Sequence, residues 1–283
     1  MKTIRLLYPD HVAGGLETYY FGANLLAHLL PENENQPLLR VDLPPPDGKK
    51  REVTGGMYGR EEVLEGIRRA AGLIEAARPD RIITIGGNCI VSLAPFDYLH
   101  GLYGRTGIVW IDAHPDVSTV LDGYPHAHAM VLGSLLGRGD DSLVAMMKNG
   151  KFGADEVLYV GLQGLHPYQE KYLQELNVNY KVQTREFLSC ESIGDFASRF
   201  DHVLVHLDID VLDAACFHST YFANKELVGD GSSGGRMSME ELSRVLNRIA
   251  EKADIVGLTI AEYLPFDEQR LHDALAGLPI FRG

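Results

Sequence analysis

The chain has 283 residues, 45% of them apolar and 23% charged, with a formal net charge of −13. This length can bury a sizeable core, and the acidic balance argues against a nucleic-acid binder, which needs a basic face. No apolar run reaches the roughly 18 residues that a membrane span requires, and residues 1–10 lack the long apolar stretch and cleavage site of a signal peptide. The three cysteines, Cys89, Cys190 and Cys216, are odd in number and widely spaced. That pattern fits free thiols in a reducing, cytoplasmic compartment better than a disulfide framework.

In chain order, short apolar runs alternate with longer amphipathic stretches. The periodicity predicts a strand over 3–8, a helix over 60–77, a strand over 81–85 and a helix over 91–99. A strand over 107–111, a helix over 129–136, a strand over 156–160 and a helix over 167–175 follow. The remainder reads as strand 178–182, helix 192–200, strand 203–207, helix 238–252, strand 255–260 and helix 268–276. Pro167 suits a first-turn helical position, and Ser238 with Glu241 resembles a capping box. The Pro-rich segment 43–48 and the Gly/Ser-rich segment 229–236 read as loops. The second follows a ligand-bearing strand and is expected beside the site. With no internal repeat and no long linker, the reading is one domain over 1–283. Its fold class is α/β: a doubly wound, mostly parallel sheet with helices on both faces.

Two segments carry the chemistry. Residues 111–116 read I-D-A-H-P-D and residues 206–213 read H-L-D-I-D-V-L-D. Each follows an apolar run that suits a strand buried on both faces. Placing Asp112, Asp116, Asp208, Asp210 and Asp213 at the ends of such strands is costly unless positive charge lies there. In open α/β sheets those strand ends are where ligands bind. With His114, the carboxylates read most simply as a site for dications, and for two of them. Strand 81–85 adds Gly86-Gly87-Asn88-Cys89 to the same edge, and strand 255–260 adds Glu262. The alternatives at each position are structural: helix-capping acids, a satisfied core histidine at His128, a surface acid at Glu262. His206 shares a strand face with Asp208 and Asp210 and reads as a structural or supporting residue.

The order of these elements resembles the ureohydrolase family of arginases and agmatinases. Asp112-Ala113-His114-Pro115-Asp116 matches that family's D-A-H-x-D in full, and Asp208-Ile209-Asp210 with Asp213 matches its D-x-D-x-x-D. Gly86-Gly87-Asn88-Cys89 is similar to its G-G-D-H, His128-Ala129-Met130-Val131 to its H-G-M-P, and Glu262 to its late Glu. The resemblance implies a binuclear Mn2+ centre. Asp112 and Asp208 would bridge the ions, Asp116 would bind one, and His114 and Asp210 the other. It also implies a proton-shuttling His128, a Glu262 that holds a guanidinium, and a homo-oligomer, trimer or hexamer.

The chain departs from that pattern in two places. Cys89 stands where the family has its first metal-binding His and is a candidate metal ligand as a thiolate, the alternative being a small buried Cys that ligates nothing. Manganese prefers harder donors, so one Mn2+ position is expected to be weaker than the other, or empty. Ser118, Tyr124, His126, Gly164 and His166 stand where arginases read the α-amino acid head of L-arginine. The expected substrate is therefore a small guanidino or amidino compound other than plain L-arginine: an N-hydroxyguanidino, agmatine-like or formimino compound. Ser118, His126, His166 and Glu262 would bind it. Two competing readings are a catalytically silent relative with a structural or regulatory role, and a metal-dependent amine deacetylase.

Overall fold

The computed structural model describes residues 1–228 and 231–281. Nine strands and nine α-helices alternate along them. In chain order they are β1 (Thr3–Tyr8), α1 (Thr18–Leu29), β2 (Leu38–Arg40), β3 (Val53–Thr54), β4 (Met57–Tyr58) and α2 (Arg60–Ala77). Next come β5 (Arg81–Gly86), α3 (Leu93–Tyr103), β6 (Gly107–Ile111), α4 (Val131–Leu135), α5 (Asp141–Val144) and β7 (Val157–Val160). The chain continues with α6 (Pro167–Glu175), α7 (Cys190–Ala197), β8 (His202–Asp208), α8 (Met239–Lys252), β9 (Asp254–Ala261) and α9 (Phe266–Ala276). Seven strands form one sheet in the order β2-β1-β5-β9-β8-β6-β7, with every neighbouring pair parallel. The expected doubly wound α/β sheet is what the chain forms.

Strand alternation sorts the side chains onto two covered faces. Ile4, Leu6, Ile82, Ile108, Trp110 and Leu204 pack with α2 and α3 through Val63, Ile67, Ile74, Phe96 and Leu99. Leu7, Ile85, Val109, Ile111, Val203 and Val205 pack with α1, α7 and α8 through Ala23, Ile193, Phe196, Val245 and Ile249. Both faces are apolar apart from Thr84, His206 and Thr259, and the carboxylates of the central strands fall at or beyond their ends. The ends of β5, β9, β8 and β6, four consecutive strands, form the edge that carries the site.

Several expectations need correction. The segment at 178–182 is not a strand. β7 is instead closed off by the side chain of Gln183, which accepts from Gly161 N at 3.1 Å and donates to Tyr159 O at 3.1 Å. A side-chain amide thus satisfies backbone groups at that edge without a paired strand. Helix α1 was not expected: its buried residues, Thr18, Tyr19, Gly22, Ala23 and Leu26, have helical spacing but are mostly small or polar, so no apolar stripe marks them in the sequence. The short β2, β3 and β4 were also missed, since two or three residues give no periodicity. The stretch at 129–136 is a 3-10 turn over Ala127–Met130 followed by the short α4. Two local readings hold. Ser238 and Glu241 exchange the reciprocal bonds of a capping box, and Pro167 opens α6. Gly229 and Asp230 lie outside the described residues, and 231–236 is loop.

Gly87 shows how tightly the edge is built. A Cβ there would sit 1.8 Å from the carbonyl oxygen of Asp10, and the Gly87 carbonyl accepts the backbone N–H of Glu262 at 2.9 Å. Gly87→Ala is therefore expected to destabilise the protein by about 3 kcal/mol, measured by urea denaturation. A loss below about 0.5 kcal/mol would show that the edge tolerates displacement.

Candidate metal centre

The site lies where β5, β6, β8 and β9 end. After β6 the chain turns through Asp112, His114 and Asp116. Trp110 Nε1 donates to Asp112 Oδ2 at 3.0 Å, and the backbone N–H of His114 donates to Asp112 Oδ1 at 2.6 Å. After β8, Asp208 accepts the backbone N–H of Asp210 at 2.7 Å. His114 Nδ1 lies 3.0 Å from Asp210 Oδ2 and 3.5 Å from Asp112 Oδ1. Asp116 and Glu262 are non-glycine residues with positive φ, 49° and 62°. Such backbone conformations cost energy and gather where side chains must be aimed.

Ligand-type atoms converge in four overlapping sets: Cys89, Asp112, Asp116 and His206; Asp112, His114 and Asp210; Asp208, Asp210 and Glu262; and Cys89, His128 and Glu262. Within each set the atoms lie within 4.8 Å of one another. So many buried carboxylates in contact raise one another's pKa. Burial, then the charge of Asp210, pushes Asp112 up to about 7. Burial and the neighbouring carboxylates hold Asp116 and Asp208 well above the ordinary value. Burial pulls His114 down, but Asp210 and Asp112 overcome this and leave it raised well above its usual range. Two buried atoms, His114 Nε2 and Asp116 Oδ2, have no hydrogen-bond partner. A set of oxygen donors with imidazole nitrogen, mutually repelling and partly orphaned, fits hard dications such as manganese.

Cys89 heads a buried 3-10 turn after β5. Its Sγ donates to Asp208 Oδ2 at 2.8 Å, and burial, then Asp208, pushes the thiol pKa well up. The thiol is thus a neutral hydrogen-bond donor to a carboxylate. Asn88 is explained by Asp10. Its amide donates to Asp10 Oδ1 at 2.8 Å, and Asp10 is buried. An Asp at 88 would set two buried carboxylates against each other.

Above the carboxylates opens a cavity of about 330 Å³. Ser118, His126, His128, His166 and Glu262 all line it, with Tyr124 and Gly164. His128 Nδ1 lies 2.8 Å from Glu262 Oε1 and its Nε2 lies 3.0 Å from Tyr124 Oη. Burial, then His128, pushes His126 down to about 4, so its ring is neutral near pH 7. His166 stacks on Tyr168, 5.5 Å between centroids at 4°. Asp213 is set apart: it caps the following turn by accepting from Ala215 N at 2.8 Å. Sequence reasoning missed Gly14, Gly15, Tyr19, Tyr221 and Phe222, which also line the cavity. The Pro9-Asp10 pair directly after strand β1 was the available signal for the first two, marking one more strand end on the same edge. Ser232 lines the cavity as well, so the 231–236 loop does border the site.

The family model described as "Arginase family" matches residues 39–282. The chain belongs to the arginase family. An arginase of Eremothecium gossypii is 24% identical over 209 residues, 70% of this chain and 50% of that protein. An agmatinase of Halalkalibacterium halodurans is 26% identical over 188 residues, 65% of this chain and 55% of that protein. The chain thus spans about half the length of the curated relatives it matches. The solved arginase of Entamoeba histolytica, in complex with L-ornithine, superposes with a TM-score of 0.77 at 18% identity, covering 93% of this chain and 91% of that one. That is a likeness of fold. Among the described residues no helix is long and apolar enough to cross a membrane.

The electrostatics set a pH dependence for the metal-free protein. Asp112, Asp116, Asp208 and His114 all hold protons more tightly folded than unfolded. Their contribution is fully present below the unfolded values, near 4 for the carboxylates and 6.5 for His114, and is lost as pH rises through the folded values. With Asp112 at about 7, the melting temperature of chelator-treated protein is expected to fall steadily from about pH 5 to pH 8.5. Excess manganese should abolish that fall, since ions replace the protons. A melting temperature that rises with pH in chelator would contradict this account of the cluster.

Proposed function

We propose that the chain is a manganese-dependent hydrolase that cleaves a C–N bond of a linear guanidino or amidino compound whose tail is not a plain α-amino acid. The observation that carries this reading is the oxygen-rich ligand cluster directly beneath a cavity holding the His128–Glu262 pair. Family membership adds weight, because ureohydrolases work through two manganese ions. Asp112, Asp116 and Asp208 would hold one ion, and Asp112, His114, Asp208 and Asp210 the other. When bound, the ions supply Lewis acidity and a nucleophile from water at neutral pH.

The chain's own groups do the rest. The Glu262 carboxylate accepts from His128, so Nδ1 carries the proton and Nε2 faces Tyr124 and the cavity. Nε2 is then the atom that takes or gives a proton at the departing amine. Glu262 supplies the negative charge that a guanidinium or amidinium requires, in a charge-assisted hydrogen bond. Tyr19, Tyr221 and Phe222 narrow the cavity and exclude water. Tyr124 positions His128.

The tail end of the cavity points away from L-arginine. Its described lining contains no Lys or Arg to meet a carboxylate, and His126 is neutral. An unpaired zwitterion there would lose several kcal/mol of solvation. Hydrogen-bonding groups without a fixed charge, Ser118, His126 and Tyr168, favour a neutral tail. One observation favours a second reading, a metal-dependent amine deacetylase: Tyr124, His126 and His128 form a histidine pair with a tyrosine beside the cluster, the two rings 6.2 Å apart.

Purified protein loaded with manganese is therefore to be assayed on arginine, agmatine, guanidinobutyrate, N-hydroxyarginine, formiminoglutamate and an N-acetylated diamine. Release of urea, hydroxyurea or a formamide fragment from a member other than arginine is the expected result. Efficient turnover of L-arginine, on the order of 10⁴ M⁻¹s⁻¹ in kcat/KM, would overturn the reading of the tail end. Release of acetate would transfer the assignment to the deacetylase. Silence on every member with manganese bound would leave a non-catalytic role. Glu262→Gln should lower kcat/KM on the true substrate at least tenfold, the order expected on losing a charge-assisted contact. Bound manganese should not change, which separates substrate binding from metal ligation.

A further inference from the structure

We infer that His206 is a metal ligand: it supplies, from strand β8, the imidazole nitrogen that the end of β5 lacks at Cys89. The inference rests on the two-ion reading above and names one donor within it. His206 is fully buried. It lies on the same face of β8 as Asp208, two residues before it, and pairs in register with Trp110 of β6 and Thr259 of β9. One of its ring nitrogens lies within 4.8 Å of the Cys89 thiol and of carboxylate oxygens of Asp112 and Asp116.

The surroundings of the ring are those of a ligand. Nδ1 lies 2.8 Å from the hydroxyl of Ser92, while Nε2 is buried and has no partner. A buried polar atom without a partner is uncommon and calls for an explanation. A histidine with one nitrogen hydrogen-bonded and the other bare is what metal-ligating imidazoles show, the outer bond fixing tautomer and ring orientation. Trp110 stacks flat on the ring, 3.7 Å between centroids at 8°, and the same indole donates to Asp112 Oδ2. One side chain thus orients both an imidazole and a carboxylate of the set. Cys89 is already engaged as a donor to Asp208, and a soft thiol suits manganese less well than an imidazole. A cysteine at 89 also occupies less space than a histidine would, which leaves room for a ring arriving from below. The ion assigned above to Asp112, Asp116 and Asp208 would then gain His206 as its imidazole donor, with the Cys89 thiol not required.

Equilibrium dialysis against Mn2+, with elemental analysis, on wild type, His206→Asn and Cys89→Ser tests the assignment, with circular dichroism confirming the fold of each. Two ions are expected in wild type and in Cys89→Ser, and one in His206→Asn, the lost site weakened at least tenfold. His206→Asn keeping two ions at wild-type affinity, or Cys89→Ser falling to one, would overturn the assignment and leave the two-ion reading standing. A wild type that binds no manganese would overturn both. Should His206→Asn fail to fold, pulsed electron paramagnetic resonance on the manganese-loaded His114→Asn/His128→Asn protein decides. An imidazole ¹⁴N coupling to manganese there supports His206 as ligand, and its absence overturns it.

Discussion

Everything at this site follows from the repulsion among carboxylates buried at the ends of three adjacent parallel strands, β9, β8 and β6. The sheet interior is apolar on both faces, so Asp112, Asp116, Asp208, Asp210 and Glu262 have nowhere to sit except its C-terminal edge. There they lie largely out of water, 4% exposed or less, and burial with neighbouring carboxylates raises the pKa of Asp112, Asp116 and Asp208. That arrangement is unfavourable without positive charge. The backbone reflects the same demand. Asp116 and Glu262 take left-handed conformations to aim their side chains, and such strain is kept only where the surrounding structure fixes it.

The fold supplies that fixing. The Asp10 carboxylate accepts from both Asn88 and the backbone of Ala13, and the Ala13 carbonyl accepts from His128 N at 3.3 Å. The Gly87 carbonyl in turn accepts from Glu262. Thus the loop after β1, the turn after β5, the His128 turn and the end of β9 are linked by a few buried hydrogen bonds. Substitution of the family's Asp by Asn88 belongs to this network: an amide can donate to Asp10 where a second carboxylate could not. The departure at 88 is therefore a matter of positioning, while the one at 89 places a thiol that donates to Asp208.

Much of this was legible in the sequence because its causes are local. Apolar runs ending in spaced Asp residues mark buried strands and their polar ends, and these runs alone put Asp112, His114, Asp116, Asp208 and Asp210 on one edge. The capping box at Ser238 is equally local. What the sequence hid depends on side chains from distant segments. Gln183 replaces a strand beside β7, and nothing in residues 178–182 announces that. His206 sits mid-strand in an apolar run, where a histidine reads as a structural residue. Its bare nitrogen shows only once Trp110, Ser92 and Asp112 surround it. Asp213 erred in the other direction: its spacing completes a motif, yet it caps a turn.

The cavity above the cluster shows the same division between what the fold dictates and what it leaves open. Its floor is set by the sheet edge and cannot change without dismantling the carboxylates. Its walls come from loops: residues 14–16 after β1, the Tyr124–His128 turn, residues 164–169 before and within α6, and Tyr221, Phe222 and Ser232 after β8. Loops tolerate substitution that the sheet does not, so one floor can serve compounds with different tails. Here the walls are aromatic and hydroxyl-bearing, and their histidine nearest His128 is held neutral by burial. The cavity thus passes from a base of buried carboxylates, Asp116, Asp208, Asp210 and Glu262, to walls of aromatic and hydroxyl-bearing side chains, and the base is the part that the sheet dictates.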